Sequence, residues 1–267
     1  MRRYKQIAIF ILGLIFLSPI LEGQDIKIFE RNLSDAFGKI DYWSNRQYET
    51  DYNSSFTDSL ENANNTFEKL LLDYTANYSQ TLKYEFKNLI EEGVLIVTSE
   101  DGLFRIYSWD TQVGGTMHIY NNLFQFSSKN KVFSKISPVS KGEDSEAGSY
   151  YFQINDIISN NKKYYITQSR AILDSRYYYN ILKIFSIDNL KLNDNAKLIK
   201  TKNGLRNKLS YEIDLNASSN RDVDVPDFSI IYDKENKTIS IPVILEDFKI
   251  TDKRIIYLFK GKYFERM

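Results

Sequence analysis

The chain has no cysteine, and that removes several kinds of chemistry at once. A disulfide framework, a thiolate nucleophile, a cysteine-held metal and a lipid-accepting thiol are all excluded. There is one histidine, His118, so any imidazole general base must be this residue. Neither sign of charge prevails: 35 Lys and Arg stand against 35 Asp and Glu, which leaves no footprint for nucleic acid or an anionic membrane surface. No Gly-x-Ser-x-Gly elbow is present to position a serine nucleophile. Long apolar runs are confined to Ile7–Leu17, 11 residues, well short of the roughly 20 that cross a bilayer.

Against these absences stands an ordinary globular composition. At 267 residues, 42% hydrophobic and 26% charged, the chain can bury a core large enough to offset its conformational entropy. Its aromatics are 20 Tyr and 17 Phe with only 2 Trp, and with 11 Gly and 4 Pro they favour strands and turns over a helical bundle.

Residues 1–23 read as a secretory signal peptide. Arg2, Arg3 and Lys5 form a positive start, Ile7–Leu17 the apolar stretch, and Pro19 with Leu21, Glu22 and Gly23 a cleavage region before Gln24. Without this segment 32 basic residues face 34 acidic ones. The expectation is an exported, periplasmic or secreted protein with no membrane span after cleavage.

Residues 24–92 carry helical spacing. Leu60, Ala63, Phe67, Leu70, Leu71 and Tyr74 recur at three and four, as do Leu82, Phe86, Leu89 and Ile90. Asp58 with Glu61 reads as a capping box, Ser79 as a second cap and Gly93 as a left-handed closing residue. A shorter helix is expected near Asn32 to Tyr42. Residues 93–267 change to about ten short apolar or aromatic runs separated by turn signals such as EDG, QVGG and NNKK, which predicts antiparallel strands with local connections. The loops Ser137–Ser149 and Ala217–Asp227 interrupt them, and the basic run Leu190–Lys208 reads as a solvated hairpin. The fold class is therefore α+β, N-terminal helices followed by a β-meander region, with the two packed as one unit.

The densest stretch is TSEDGLFRIYSWDTQVGGTMHIYNNLFQF, Thr98 to Phe126. An Asp-Gly turn entering a strand that ends in Trp109–Asp110 resembles one hairpin of a WD40 blade, and KIFSIDNL at Lys183 echoes RIYSWDTQ at Arg105. A small β-propeller is thus the alternative fold. The signal peptide, the SLENANNTFEKLLLDYT helix, the TSEDG, RIYSWDT and GGTMH segments and the closing YLFKGKYFER together resemble a family of exported proteins of Bacteroidetes-type Gram-negative bacteria. The resemblance covers most of the mature chain. It implies location and a shared fold; that family has no assigned activity, so no catalytic role carries over onto any residue.

Within this stretch, His118 with Asp101 or Asp110 as orienting carboxylate, and Ser99, Ser108 or Thr116 as nucleophile, are the candidates for hydrolysis. Strand alternation would put Thr116, His118 and Tyr120 on one face. Trp109, Tyr107 and Tyr120 are candidate ligand-binding aromatics. Asp222, Asp224 and Asp227 alternate like the start of a calcium loop but lack its glycine and terminal glutamate, so a polar loop is the favoured reading. No cofactor is implied. The reading favoured by the sequence is a non-catalytic binding or interaction module of the envelope, meeting an envelope protein, peptide or glycan through an aromatic face. A structural or assembly component and a hydrolase centred on His118 are the alternatives.

Overall fold

The computed structural model describes residues 25–46, 54–137, 148–221 and 223–267. The expected signal peptide lies outside the described residues, as do Asp222 and most of the loop from Ser137 to Ser149. Helix α1 covers 25–46 and α2 covers Ser54–Asn77. Both are longer than their sequence patterns suggest. The buried stripe of α1, Ile26, Leu33, Ala36, Phe37 and Ile40, is interrupted by a buried Glu30 that accepts hydrogen bonds from the Tyr84 hydroxyl at 2.7 Å and the Asn88 amide at 2.9 Å. A satisfied buried carboxylate on the apolar face hides the first turns from a periodicity argument. In α2, Asp58 and Glu61 are exposed residues inside the helix and not its cap.

The second expected helix is broken. Ser79–Leu82 form a 3₁₀ turn, Phe86 turns left-handed at φ 48°, and only Lys87–Glu91 (α3) is α-helical. Leu82, Phe86 and Leu89 still reach the core, while Ile90 is exposed. The end of α3 follows expectation: Gly93 has φ 111°, its amide bonds to the Ile90 carbonyl, and the Val94 amide bonds to that of Leu89.

Three sheets follow. The first is a meander of β1 (Leu95–Thr98), β2 (Phe104–Asp110), β3 (Tyr120–Ser128) and β4 (Lys131–Ser137). The second contains β5 (Tyr150–Ser159), β6 (Lys162–Asp174), β7 (Tyr177–Asp188) and β11 (Lys208–Asp214), in the order β11-β7-β6-β5, with β8 (Lys191–Asn193) on the end of β7. The third has the order β10-β9-β15-β14-β13-β12, built from β9 (Ile199–Thr201), β10 (Gly204–Arg206), β12 (Ile231–Asp233), β13 (Thr238–Ile244), β14 (Ile250–Phe259) and β15 (Phe264–Arg266). All pairs are antiparallel except β15 with β9. The two-residue turns Asn160–Asn161, Lys129–Asn130 and Asn189–Leu190 have positive φ at both positions, the geometry that suits right-twisted hairpins.

Register assigns each side chain to a layer, because residues directly opposite in an antiparallel pair share a face. On β2 and β3, Tyr107 opposite Leu123 and Trp109 opposite Asn121 face the helices, while Phe104 opposite Phe126 and Ile106 opposite Phe124 face the second sheet. The helix-facing core gathers Leu33, Phe37, Phe67, Leu71 and Phe86 around Tyr107 and Trp109. Between the first two sheets, Phe104, Ile106, Phe124 and Phe126 meet Tyr151, Tyr165 and Phe185. Ile166, Leu182 and Ile184 on the far side of the second sheet pack against Ile199, Ile239 and Phe264 of the third. The molecule is thus four layers, helices and three sheets, sharing three apolar seams. Stacked sheets of unequal strand number rule out the propeller alternative: RIYSWDTQ and KIFSIDNL lie on middle strands of two different sheets, each leading into an Asp-started turn.

Phe67 sits 5.2 Å from Phe37 and 5.2 Å from Trp109, ring centre to ring centre. Its replacement by Ala leaves a cavity between helices and sheet, so Phe67→Ala is expected to lower unfolding free energy in a denaturant titration by about 3–5 kcal/mol. A loss below about 1 kcal/mol would show that this seam does not hold the helices.

Candidate functional site

The rim of the first sheet brings His118 together with Asp110, one of the two carboxylates that sequence reasoning offered it. Asp110 ends β2; its Oδ1 accepts the Gln112 amide at 2.9 Å and its Oδ2 lies 2.5 Å from His118 Nδ1. Thr116–Ile119 do not form the expected strand, which starts only at Tyr120. Instead Gly114 presses against the backbone of Met117, where a Cβ would come within 1.8 Å of the Met117 carbonyl oxygen, and the Thr111 amide and hydroxyl both bond to the Ile119 carbonyl. The resulting loop holds His118 through its amide to the Ile172 carbonyl at 3.0 Å, with the ring half-exposed. Burial, then the charge of Asp110, pushes the neighbouring Tyr120 phenol up to about 12, and the same two causes raise the Asp41 carboxyl.

A carboxylate on Nδ1 fixes the imidazole tautomer with Nε2 outward, which is the orientation a general base needs. The proposed nucleophiles are engaged elsewhere. Ser99 Oγ donates to Asp101 Oδ1 at 2.7 Å and accepts the Phe104 amide; the buried Ser108 Oγ donates to Asn122 Oδ1 at 2.6 Å and accepts the Tyr151 amide. Thr116 lies exposed on the loop.

The aromatic candidates divide. Trp109 and Tyr107 are 0% exposed and belong to the core. Tyr107 lies 3.0 Å from both the Thr81 carbonyl and Gln125 Oε1, and burial pushes its phenol up to about 12. Only Tyr120 stays half-buried, its ring 5.0 Å from that of Tyr150. Among the described tyrosines only Tyr42 and Tyr78 are exposed. Several others bond their hydroxyls to neighbouring strands and turns, Tyr179 to Ser210, Tyr211 to the Phe228 carbonyl, Tyr177 to Glu212. The tyrosine excess therefore joins strands and does not form an open recognition face.

Asp224 is exposed, and Asp227 accepts the Ser229 amide at 2.9 Å and lies 3.8 Å from Arg254. Among the described residues no three His, Cys, Asp or Glu side chains gather as metal ligands.

Asp101 is separate from His118 and belongs to a network that the sequence does not reveal. It sits in the β1–β2 turn beside Gly102, whose φ of 66° closes that turn. Its Oδ1 accepts Ser99 Oγ and the Leu103 amide, and its Oδ2 accepts Lys163 Nζ at 2.8 Å and the Tyr165 hydroxyl at 3.1 Å. Asp156 on β5 accepts the Glu100 and Asp101 amides at 3.1 and 3.2 Å. Burial pushes the Asp101 carboxyl up, but the bonds from Lys163, Ser99 and Leu103 prevail and hold it below its usual value. Burial and then the Asp101 charge raise Asp156. Lys163 is raised chiefly by its bond to Asp101.

These groups form one wall of a cavity of about 470 Å³ where the β1–β2 turn, the β5–β6 hairpin and the β12–β13 turn meet. Tyr232, Lys234, Lys237, Ile157 and Ile158 complete its lining, and Lys234 Nζ reaches Glu100 Oε2 at 2.7 Å. No protein-family model matches this chain, and no curated protein matches its sequence. The chemistry of the site must be read from its own residues.

The Asp101 network has a pH signature. A carboxyl whose folded pKa is depressed contributes stability above its unfolded value, and the contribution is lost as pH falls through the folded value. Asp101→Asn is expected to cost about 1–2 kcal/mol near neutrality. In unfolding titrations at several pH values the gap to the parent chain should shrink as pH falls below the ordinary value of 3.8 and Asp101 takes up its proton. A gap independent of pH would remove the ionic part of this account.

Proposed function

We propose that the chain is an exported, non-catalytic binding module of the cell envelope that takes its ligand in the cavity between the three sheets. The observation that carries this reading is that polar groups from three separate turns converge on one concave site beside Glu100 and Asp101. Pockets with a few convergent polar groups and shifted carboxyls are the usual place for a ligand. The hydrogen-bonded anchoring of Asp101 and Asp156 gives the wall a fixed shape, which suits binding without rearrangement. The signal-peptide pattern of residues 1–23 supports export, as does the resemblance of TSEDG, RIYSWDT and GGTMH to exported Bacteroidetes-type proteins.

A second reading, hydrolysis centred on His118, is favoured only by the 2.5 Å contact of its ring with Asp110. The two separate in a small-molecule fragment screen followed by amide NMR shifts of the exported chain. The binding module predicts perturbations clustered on Glu100, Asp101, Asp156, Lys163 and Lys237. Fragment hits confined to the His118 loop, together with a hydrolytic turnover abolished in His118→Ala, would overturn it in favour of the enzyme.

A further inference from the structure

We infer that the three-sheet cavity is built for a small hydroxylated carboxylate, a sugar acid being the simplest example; this rests on the binding-module reading. The argument starts from the groups in the cavity that the fold leaves unused. Asp101 has both carboxylate oxygens doubly bonded, so it is saturated and serves the wall. Glu100 and Lys234 neutralise each other.

Three groups retain capacity. Tyr232 is 7% exposed, its ring held in the third seam 6.1 Å from Phe264. Its hydroxyl has no partner among the described residues, although the side chain lines the cavity beside Glu100, whose charge helps burial raise the phenol to about 12. Lys237 also lines the cavity, and its ammonium has no ion pair among the described residues. Asp156 accepts one backbone amide at each oxygen; Lys163 Nζ also faces Oδ2, and Oδ1 is left able to accept a second donor.

Their chemistry defines the complement. One unpaired ammonium calls for one negative charge. A doubly charged group would meet Glu100 and Asp156 without a second free cation to balance it. Lys163 Nζ already stands 3.6 Å from Asp156 Oδ2, so Oδ1 is the open oxygen, and a neutral donor satisfies it without placing a second ammonium beside Lys163. A hydroxyl meets that need, and a second hydroxyl meets Tyr232. Ile157 and the exposed Ile158 supply apolar contact for the carbon skeleton. A carboxylate at one end and hydroxyls at the other is the pattern of a uronic acid, free or as the end of an acidic glycan.

The test is a calorimetric and NMR titration of the exported chain with a uronate monosaccharide, its oligomer, the matching neutral hexose and an α-amino acid. The uronate is expected to bind at millimolar concentration and shift Asp156, Lys163 and Lys237 amides. The neutral hexose and Lys237→Gln should each weaken binding by about tenfold, and Tyr232→Phe, which removes a neutral hydrogen bond, by several-fold, with thermal unfolding of both variants unchanged. Tighter binding of the oligomer assigns the ligand to a glycan end, and equal binding to a free sugar acid. Equal affinity for the neutral hexose, preference for the amino acid, or an unaffected Lys237→Gln overturns the proposal. If uronates fail while other fragments still map to the cavity, the ligand class falls and the binding module stands. If nothing maps there, both fall.

Discussion

The fold depends on one strand pair that is covered on both sides. In β2 every residue from Phe104 to Trp109 is buried, and in β3 so are the central residues from Asn122 to Phe126. Double burial leaves the polar side chains of this ribbon without water, and most find partners within the protein, although the ring N–H of Trp109 finds none among the described residues. Arg105 donates to Thr98 Oγ1 at 2.7 Å and to the Thr81 and Tyr84 carbonyls at 2.8 and 2.5 Å. Gln125 donates to the Thr75 carbonyl and Thr81 Oγ1. Apart from Thr98 on β1, the residues that receive these bonds lie at the end of α2, in the 3₁₀ turn and just beyond it. The helices are therefore fastened to the first sheet by directional bonds as well as by the seam around Phe67 and Trp109.

On its other side the same ribbon sets the floor of the proposed site. Phe104 packs on Tyr165 at 5.3 Å and Phe185 at 5.5 Å, which fixes the second sheet against the β1–β2 turn. Tyr165 then places its hydroxyl on Asp101, and Lys163, two residues along the same strand and on the same face, reaches the same oxygen. The cavity wall is thus a consequence of sheet stacking and not of a flexible loop, which is the kind of support a ligand site needs to hold its geometry.

How much of this could be read in the residues beforehand follows from the range of each interaction. The stripe Leu60, Ala63, Phe67 and Leu71 is local, and all four are buried as the spacing implies. The Leu82–Phe86–Leu89 spacing is equally regular but mimics a helix, because a left-handed Phe86 returns its neighbours to the core by another path. Strand β4 escapes notice since Lys131 and Lys135 break its apolar run and its outer positions are half-exposed. His118 and Asp110 lie eight residues apart on either side of one turn, so their meeting was within reach of sequence reasoning. Beyond Ser99 and Leu103 in its own turn, the partners of Asp101 are 55 to 64 residues away on β5 and β6, and no local pattern marks them; a charged Asp156 among the apolar residues of β5 is the one available sign.

Hydrogen exchange of backbone amides tests the central claim most directly, because it resolves the free energy of opening element by element. If the doubly covered ribbon holds the molecule together, amides of Ile106, Tyr107 and Phe124 exchange only through global unfolding, and those of Phe67 and Leu71 in α2 share that same free energy. Opening of α2 at a free energy about 2 kcal/mol or more below that of the ribbon would contradict it, since the helices would then be a separable attachment.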